Sequence, residues 1–317
     1  MRLHSLSFAL PLLLAGCDGK APPVTYSSST DPTIDASDAD TDTDTDTDTD
    51  ADTDTDTDTD TDTGTLSLYD QLGGHDAVAV VVSAFLAHVG ADTQINFMFA
   101  NTDLGNLSQM LQDQICEASG GGCTYTGGSM VDVHAGMAIT DAQFNALIGD
   151  LLATLDDLSV PYSATLDGSE TIDPLLQALV DMQPQIVTDA DGSGVLFNQL
   201  GGHAQVQAIV DGLITNVGAD SRINGRFATT DLTVLSGLLV EQICQATGGY
   251  CVYSGLDMVT AHTGMGITDG EFDAMVEDFA AALDTLGVDH AADFSGTLPA
   301  DLLGQALAGM RGDIVGH

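Results

Sequence analysis

The chain has 317 residues and sets 48 acidic side chains against 5 Lys and Arg, a formal net charge of −43. Phosphate-rich partners would be repelled, so nucleic acid and anionic membrane surfaces are excluded as electrostatic ligands. With 44% hydrophobic residues there is enough apolar material for packed cores, and the length suits two domains of ordinary size.

Residues 1–16 read as a secretory signal. Arg2 supplies the basic start, and the apolar run over 6–14 is too short to cross a bilayer as a mature helix. The run ends in Leu14-Ala15-Gly16-Cys17, which resembles the bacterial lipobox, whose Cys becomes the lipidated first residue of the mature chain. Acyl chains anchor through about 0.8 kcal/mol per buried CH₂, so a lipidated Cys17 ties the protein to a membrane of the cell envelope, on the periplasmic side or at the cell surface. No later segment is expected to span one. Residues 17–65 are predicted to form a disordered tether: from Asp38 to Asp62 every second residue is Asp, which leaves no apolar face to bury.

Beyond the tether the chain is a duplication. Gln71-Leu72-Gly73-Gly74-His75 returns as Gln199-Leu200-Gly201-Gly202-His203, Gln114-Ile115-Cys116 as Gln242-Ile243-Cys244, and Ile186 as Ile314, always 128 residues later. The domains are drawn at 66–188 and 195–317, with 189–194 as the linker. Each copy is predicted to be all helical. Val78, Val82, Phe85 and Val89 fall at helical spacing; Leu104, Leu107, Leu111 and Ile115 mark a second helix after Asp103. Thr140-Asp141-Ala142-Gln143 and Thr268-Asp269-Gly270-Glu271 are capping boxes that open a third. Leu175, Leu176, Leu179 and Met182 mark a fourth. Between the second and third lies a short run with one histidine, Met130 to His134 in copy one and Met258 to His262 in copy two.

These residues carry a resemblance. Leu68-Tyr69-Asp70-Gln71-Leu72-Gly73-Gly74, Phe97-Met98-Phe99-Ala100-Asn101-Thr102-Asp103, Gly120-Gly121, Tyr125-Thr126-Gly127 and the His134 and His262 runs are similar to group I truncated haemoglobins over nearly the full length of each copy. The resemblance implies a two-over-two helical sandwich that holds one haem b, so two per chain. It implies His134 and His262 as the proximal iron ligands and Phe99 and Phe227 as haem-packing residues. Neutral imidazole is a strong axial donor, and the macrocycle needs an apolar slot. Leu107, Leu111, Tyr125, Leu235, Leu239 and Tyr253 complete the expected cofactor contacts.

The distal side departs from the family. Where members commonly carry Tyr and a polar helix residue, this chain has Leu86, Leu107 and Leu111, and in copy two Ile214, Leu235 and Leu239. A donor to a polar ligand typically adds about 1–3 kcal/mol, so O₂ should be held less firmly than in donor-bearing relatives, and CO little changed. Gln109 stands near as a substitute donor. The basic residue that often meets the haem propionates is replaced by Met110 and Leu238, with Tyr125 and Thr126 as hydrogen-bonding stand-ins and Arg222 and Arg226 expected at the surface. The four cysteines after Cys17 pair naturally as Cys116 with Cys123 and Cys244 with Cys251; disulfides are favoured by export, with a redox-active dithiol as the alternative. His75, His88, His203 and His290 read as structural or surface residues.

The expected function is reversible binding of O₂, NO or CO by an exported, membrane-anchored tandem globin. The alternatives are a haem-dependent nitric-oxide or peroxide detoxifying enzyme, which needs an electron donor absent from this chain, and a haem-free surface scaffold.

Overall fold

A computed structural model describes residues 66–317. The signal, Cys17 and the Thr-Asp tether lie outside the described residues. Among those described there is no strand, and both copies fall within a single compact unit.

Each long helix has a local cause. Gly73 and Gly201, with φ of +95° and +96°, turn the chain into the helices Gly74–Ala91 and Gly202–Ala219. Asp103 and Asp231 cap Leu104–Ala118 and Leu232–Ala246 through their side chains. Thr140 and Thr268 form the predicted capping boxes with Gln143 and Glu271, opening Asp141–Asp157 and Asp269–Leu286. Buried Asp173 and Asp301 each gather backbone N–H groups of a preceding loop and so fix Asp173–Asp181 and Pro299–Gly309. In each copy the first long helix packs against the second and the third.

The cores differ. In copy two one continuous cluster runs from Phe197 through Val206, Val210 and Phe279 to Leu303. Copy one has two smaller clusters, around Ile139, Phe144 and Ile186 and around Leu155, Ile172 and Leu176.

Two segments have features that the sequence reading does not give. Gly74–Ala91, 18 residues at mean hydropathy 1.4, is long and apolar enough to cross a bilayer by length and composition. It buries Val78, Val82 and Val89 in the fold. The linker 189–194 is an ordered turn. Asp189 is buried and accepts hydrogen bonds from Gly194 N, at 2.7 Å, and from Asn198 Nδ2.

Candidate functional site

In copy one the helices surround a cavity of about 480 Å³. Leu86 comes from Gly74–Ala91, Leu107 and Leu111 from one face of Leu104–Ala118, Phe99 from the turn Asn96–Phe99, and Tyr125 and His134 from the segment between the second and third long helices. All six residues singled out in the copy-one sequence thus meet around one space. Met110 lines it too.

His134 closes the short helix Met130–Val133, which Ser129 caps by accepting from Asp132 N. Its Nδ1 lies 2.8 Å from Met130 O; in copy two His262 Nδ1 lies 2.7 Å from Met258 O. A carbonyl only accepts, so Nδ1 carries the proton and Nε2 of the neutral ring keeps its lone pair. Both histidines are half-buried. In copy two Phe227, Ile214 and Leu239 pack against the core, and Leu235 and Tyr253 are half-buried.

Tyr125 Oη donates to Gly128 O at 3.1 Å, and Tyr253 Oη to Leu256 O at 2.8 Å. Gly127 and Gly255 are required there, because a Cβ would overlap the tyrosine ring. The phenol proton is therefore committed to its own loop at the position where Tyr125 is expected to meet a propionate. Gln109 also turns away: its amide donates to Asp113 Oδ1 at 2.9 Å.

The residue that sequence reasoning missed is Gln114. It lines the cavity, and its amide lies 3.8 Å from Met130 Sδ and 3.9 Å from Met182 Sδ. Gln242 repeats the arrangement with Met258 and Met310. The match of Gln114-Ile115-Cys116 with copy two marks the repeat register; its spacing of seven from Leu107 also puts Gln114 on the same helix face.

The margins of the two sites differ. Copy one has Met98, Met137 and Gln143 on the cavity wall. At the matching positions of copy two, Arg226 pairs with Glu271 through Nε at 2.7 Å and donates to Met265 O at 2.7 Å. The Arg226 guanidinium holds the Glu271 carboxyl down at about 2. Arg222 is tied to Asp220 and Glu277. Both arginines are committed to acidic side chains.

The cysteines form the bonds Cys116–Cys123 and Cys244–Cys251, with Cα atoms 5.7 and 5.8 Å apart. Each fastens the end of the second helix to the loop that leads to the histidine. Among the other histidines, His75 and His88 contact Asp76 and Asp157, and His290 contacts Asp284. His203 stacks on Phe97.

A family model described as "Bacterial-like globin" matches residues 67–180 and again 195–296. The chain belongs to the bacterial-like globin family. A group 1 truncated haemoglobin of Mycolicibacterium paratuberculosis is 36% identical over 126 residues, covering 40% of this chain and 88% of that protein. One from Tetrahymena pyriformis is 31% identical over 107 residues, covering 34% of this chain and 88% of its own length. The crystal structure of the T. pyriformis truncated haemoglobin in its Fe(III) form aligns with 39% of this chain and 99% of its own, at 28% identity and a TM-score of 0.34. The geometry of the copy-one globin site fits a flat, largely apolar group with one axial ligand. Its walls are mostly Leu, Phe, Met and Ile, and an imidazole with an uncommitted Nε2 stands among them.

Proposed function

We propose that this tandem globin holds one haem b in each copy, through His134 and His262, and binds diatomic gases reversibly at the cell envelope. The observation that carries the reading is the His134 imidazole. Its Nδ1 proton is bound to Met130 O and its Nε2 is left to ligate, on the wall of an apolar cavity that also presents Leu86, Leu107 and Leu111. Haem, when bound, supplies an iron with one axial position open to O₂, NO or CO.

The chain's own residues then set the selectivity. The Met130 carbonyl fixes the imidazole tautomer and ring orientation, as an outer partner of a metal-ligating histidine does. Leu86, Leu107 and Leu111 line the cavity wall and offer no donor. At those three positions a polar ligand forgoes about 1–3 kcal/mol that a hydrogen bond would give, whereas CO loses little. That balance favours gas binding and release over turnover that relies on a firmly held O₂. Secretion by the leader and lipid attachment at Cys17 would place the globins at the envelope, in the periplasm or at the cell surface.

The test is an absorption spectrum and iron count on residues 66–317 produced with haem supplied, beside His134→Ala and His262→Ala. A Soret band with about two haems per chain, falling by one in each variant, is the expected result. A folded wild type without a Soret band would leave the globin scaffold without its cofactor and sink the proposal.

A further inference from the structure

The two copies meet at the walls of the copy-one cavity. On one side is the turn Asn96–Phe99. Met98 and Phe99 line the cavity, while Phe97 points the other way and joins the core of copy two. Its ring stacks on His203 at 4.7 Å between centroids and meets Phe197 at 5.7 Å. On the other side is the loop after His134. There Ala138 O accepts a hydrogen bond from Asn198 Nδ2 at 2.8 Å. The same amide donates to buried Asp189 at 2.7 Å, and Asp141 N donates to Ala190 O at 3.1 Å.

Phe197 and Asn198 are neighbours in one short helix, Leu196–Gln199. A single element of copy two therefore reaches both walls of copy one's site. Among the described residues the reverse contact has no counterpart. Gly225 stands where copy one has Phe97, and a Cβ there would meet nothing within 4 Å. Gly266 stands where copy one has Ala138, and its N–H donates to His317 O of its own copy. Asp70 stands where copy two has Asn198, and a carboxylate has no N–H to give. The duplicated positions have thus diverged into a one-way tie. Beside Phe97 a cavity of about 190 Å³, bounded by His203, Gln207, Glu241 and Cys251, leaves the ring room to shift.

We propose that Phe97 and Asn198 are positioning residues by which copy two holds the Phe99 turn and the post-His134 loop in place, so that haem binding in copy one depends on copy two but not the reverse. The haem consequence rests on the function proposed above; the tie itself does not. It is tested in the full chain with Asn198→Ala, Asn198→Asp and Phe97→Gly, the last being copy two's own residue. In a His262→Ala background only site one holds haem, and haem transfer to an apomyoglobin acceptor and the iron–histidine stretching frequency are read there. The His134→Ala background gives site two. Amide exchange over residues 134–140 and 95–102 is read in the haem-free chain.

Losing a net hydrogen bond should speed site-one haem loss about fivefold and shift the stretching frequency. Exchange should quicken over 134–140 for the Asn198 variants and over 95–102 for Phe97→Gly, while site two stays unchanged. Unchanged haem loss and exchange in all three variants would overturn the proposal. So would equal acceleration at both sites, which signals general loosening. If the wild type takes up no haem, the function proposed above fails, and amide exchange alone still decides whether the tie exists.

Discussion

Ala138 sits at φ +52°, a left-handed conformation that costs an L-residue about 1–2 kcal/mol. Copy two uses Gly266 at φ +59° in the same place. The duplication supplies its own control: Ala138→Gly should stabilise the chain by about 1 kcal/mol, and Gly266→Ala should destabilise it by at least that. Urea unfolding of the paired variants reads both signs, and a loss on Ala138→Gly would show that the loop is not strained. Asp150 and Asp278 are a second matched pair. In each, Oδ2 is buried without a hydrogen-bond partner among the described residues. Burial pushes both carboxyls up from 3.8, aided by Asp92 at the first and by Asp220 and Glu277 at the second, with His88 and Arg222 opposing. A carboxyl raised on folding is favourable below its unfolded value and loses that advantage as pH rises through the folded value. Asp150→Asn and Asp278→Asn should therefore raise the melting temperature at pH 7 and make no difference near pH 3. An equal gain at both pH values would point to packing rather than charge.

At the scale of the element, the short disulfides decide how firmly the histidine segment is held. Cys116–Cys123 and Cys244–Cys251 each close a separation of seven residues, and a loop so short is worth about 2–3 kcal/mol by chain entropy. Cys116→Ala/Cys123→Ala should lower stability by about that amount and quicken haem loss from site one. Spectra and calorimetry on the double variant check both; full stability with unchanged haem retention would mean the loop is held by Tyr125 and Gly127 alone. The helices themselves are legible in the sequence because their causes are local. The Thr140 and Thr268 capping boxes, the Asp103 cap and the apolar spacing of Leu107 and Leu111 lie within a few residues of what they determine. The ring of cavity residues is legible too, through the resemblance that His134 and Phe99 carry. What escapes depends on distant partners. Nothing near Phe97 announces that it leaves its own domain for Phe197 and His203, and nothing near Asp189 says that a linker residue will be buried. The phenol of Tyr125 escapes for a related reason: its acceptor, Gly128 O, is set by a loop fold that the pattern does not encode.

Across the whole molecule the acidic excess is the dominant unanswered force. Residues 66–187 contain no Lys or Arg. The three arginines of copy two are tied to carboxylates: Arg222 to Asp220 and Glu277, Arg226 to Glu271, and Arg311 to Asp269 and Asp273. Folding draws like charges together, so the compact state of residues 66–317 should be opposed by self-repulsion at low ionic strength. Salt cuts the screening length from about 30 Å at 0.01 M to about 3 Å at 1 M. The melting temperature should climb with NaCl, by about 2–4 °C for each kcal/mol recovered at this size. Most of the gain should come below about 0.3 M, where screening changes fastest; a steady rise continuing to high salt would instead reflect solute exclusion. Haem loss from copy one, which has no cation of its own, should slow more with salt than loss from copy two. Melting temperatures that stay flat from 0.01 to 1 M would mean that the carboxylates lie too far apart to repel. In that case the composition would be a matter of solubility rather than of stability in a salty medium.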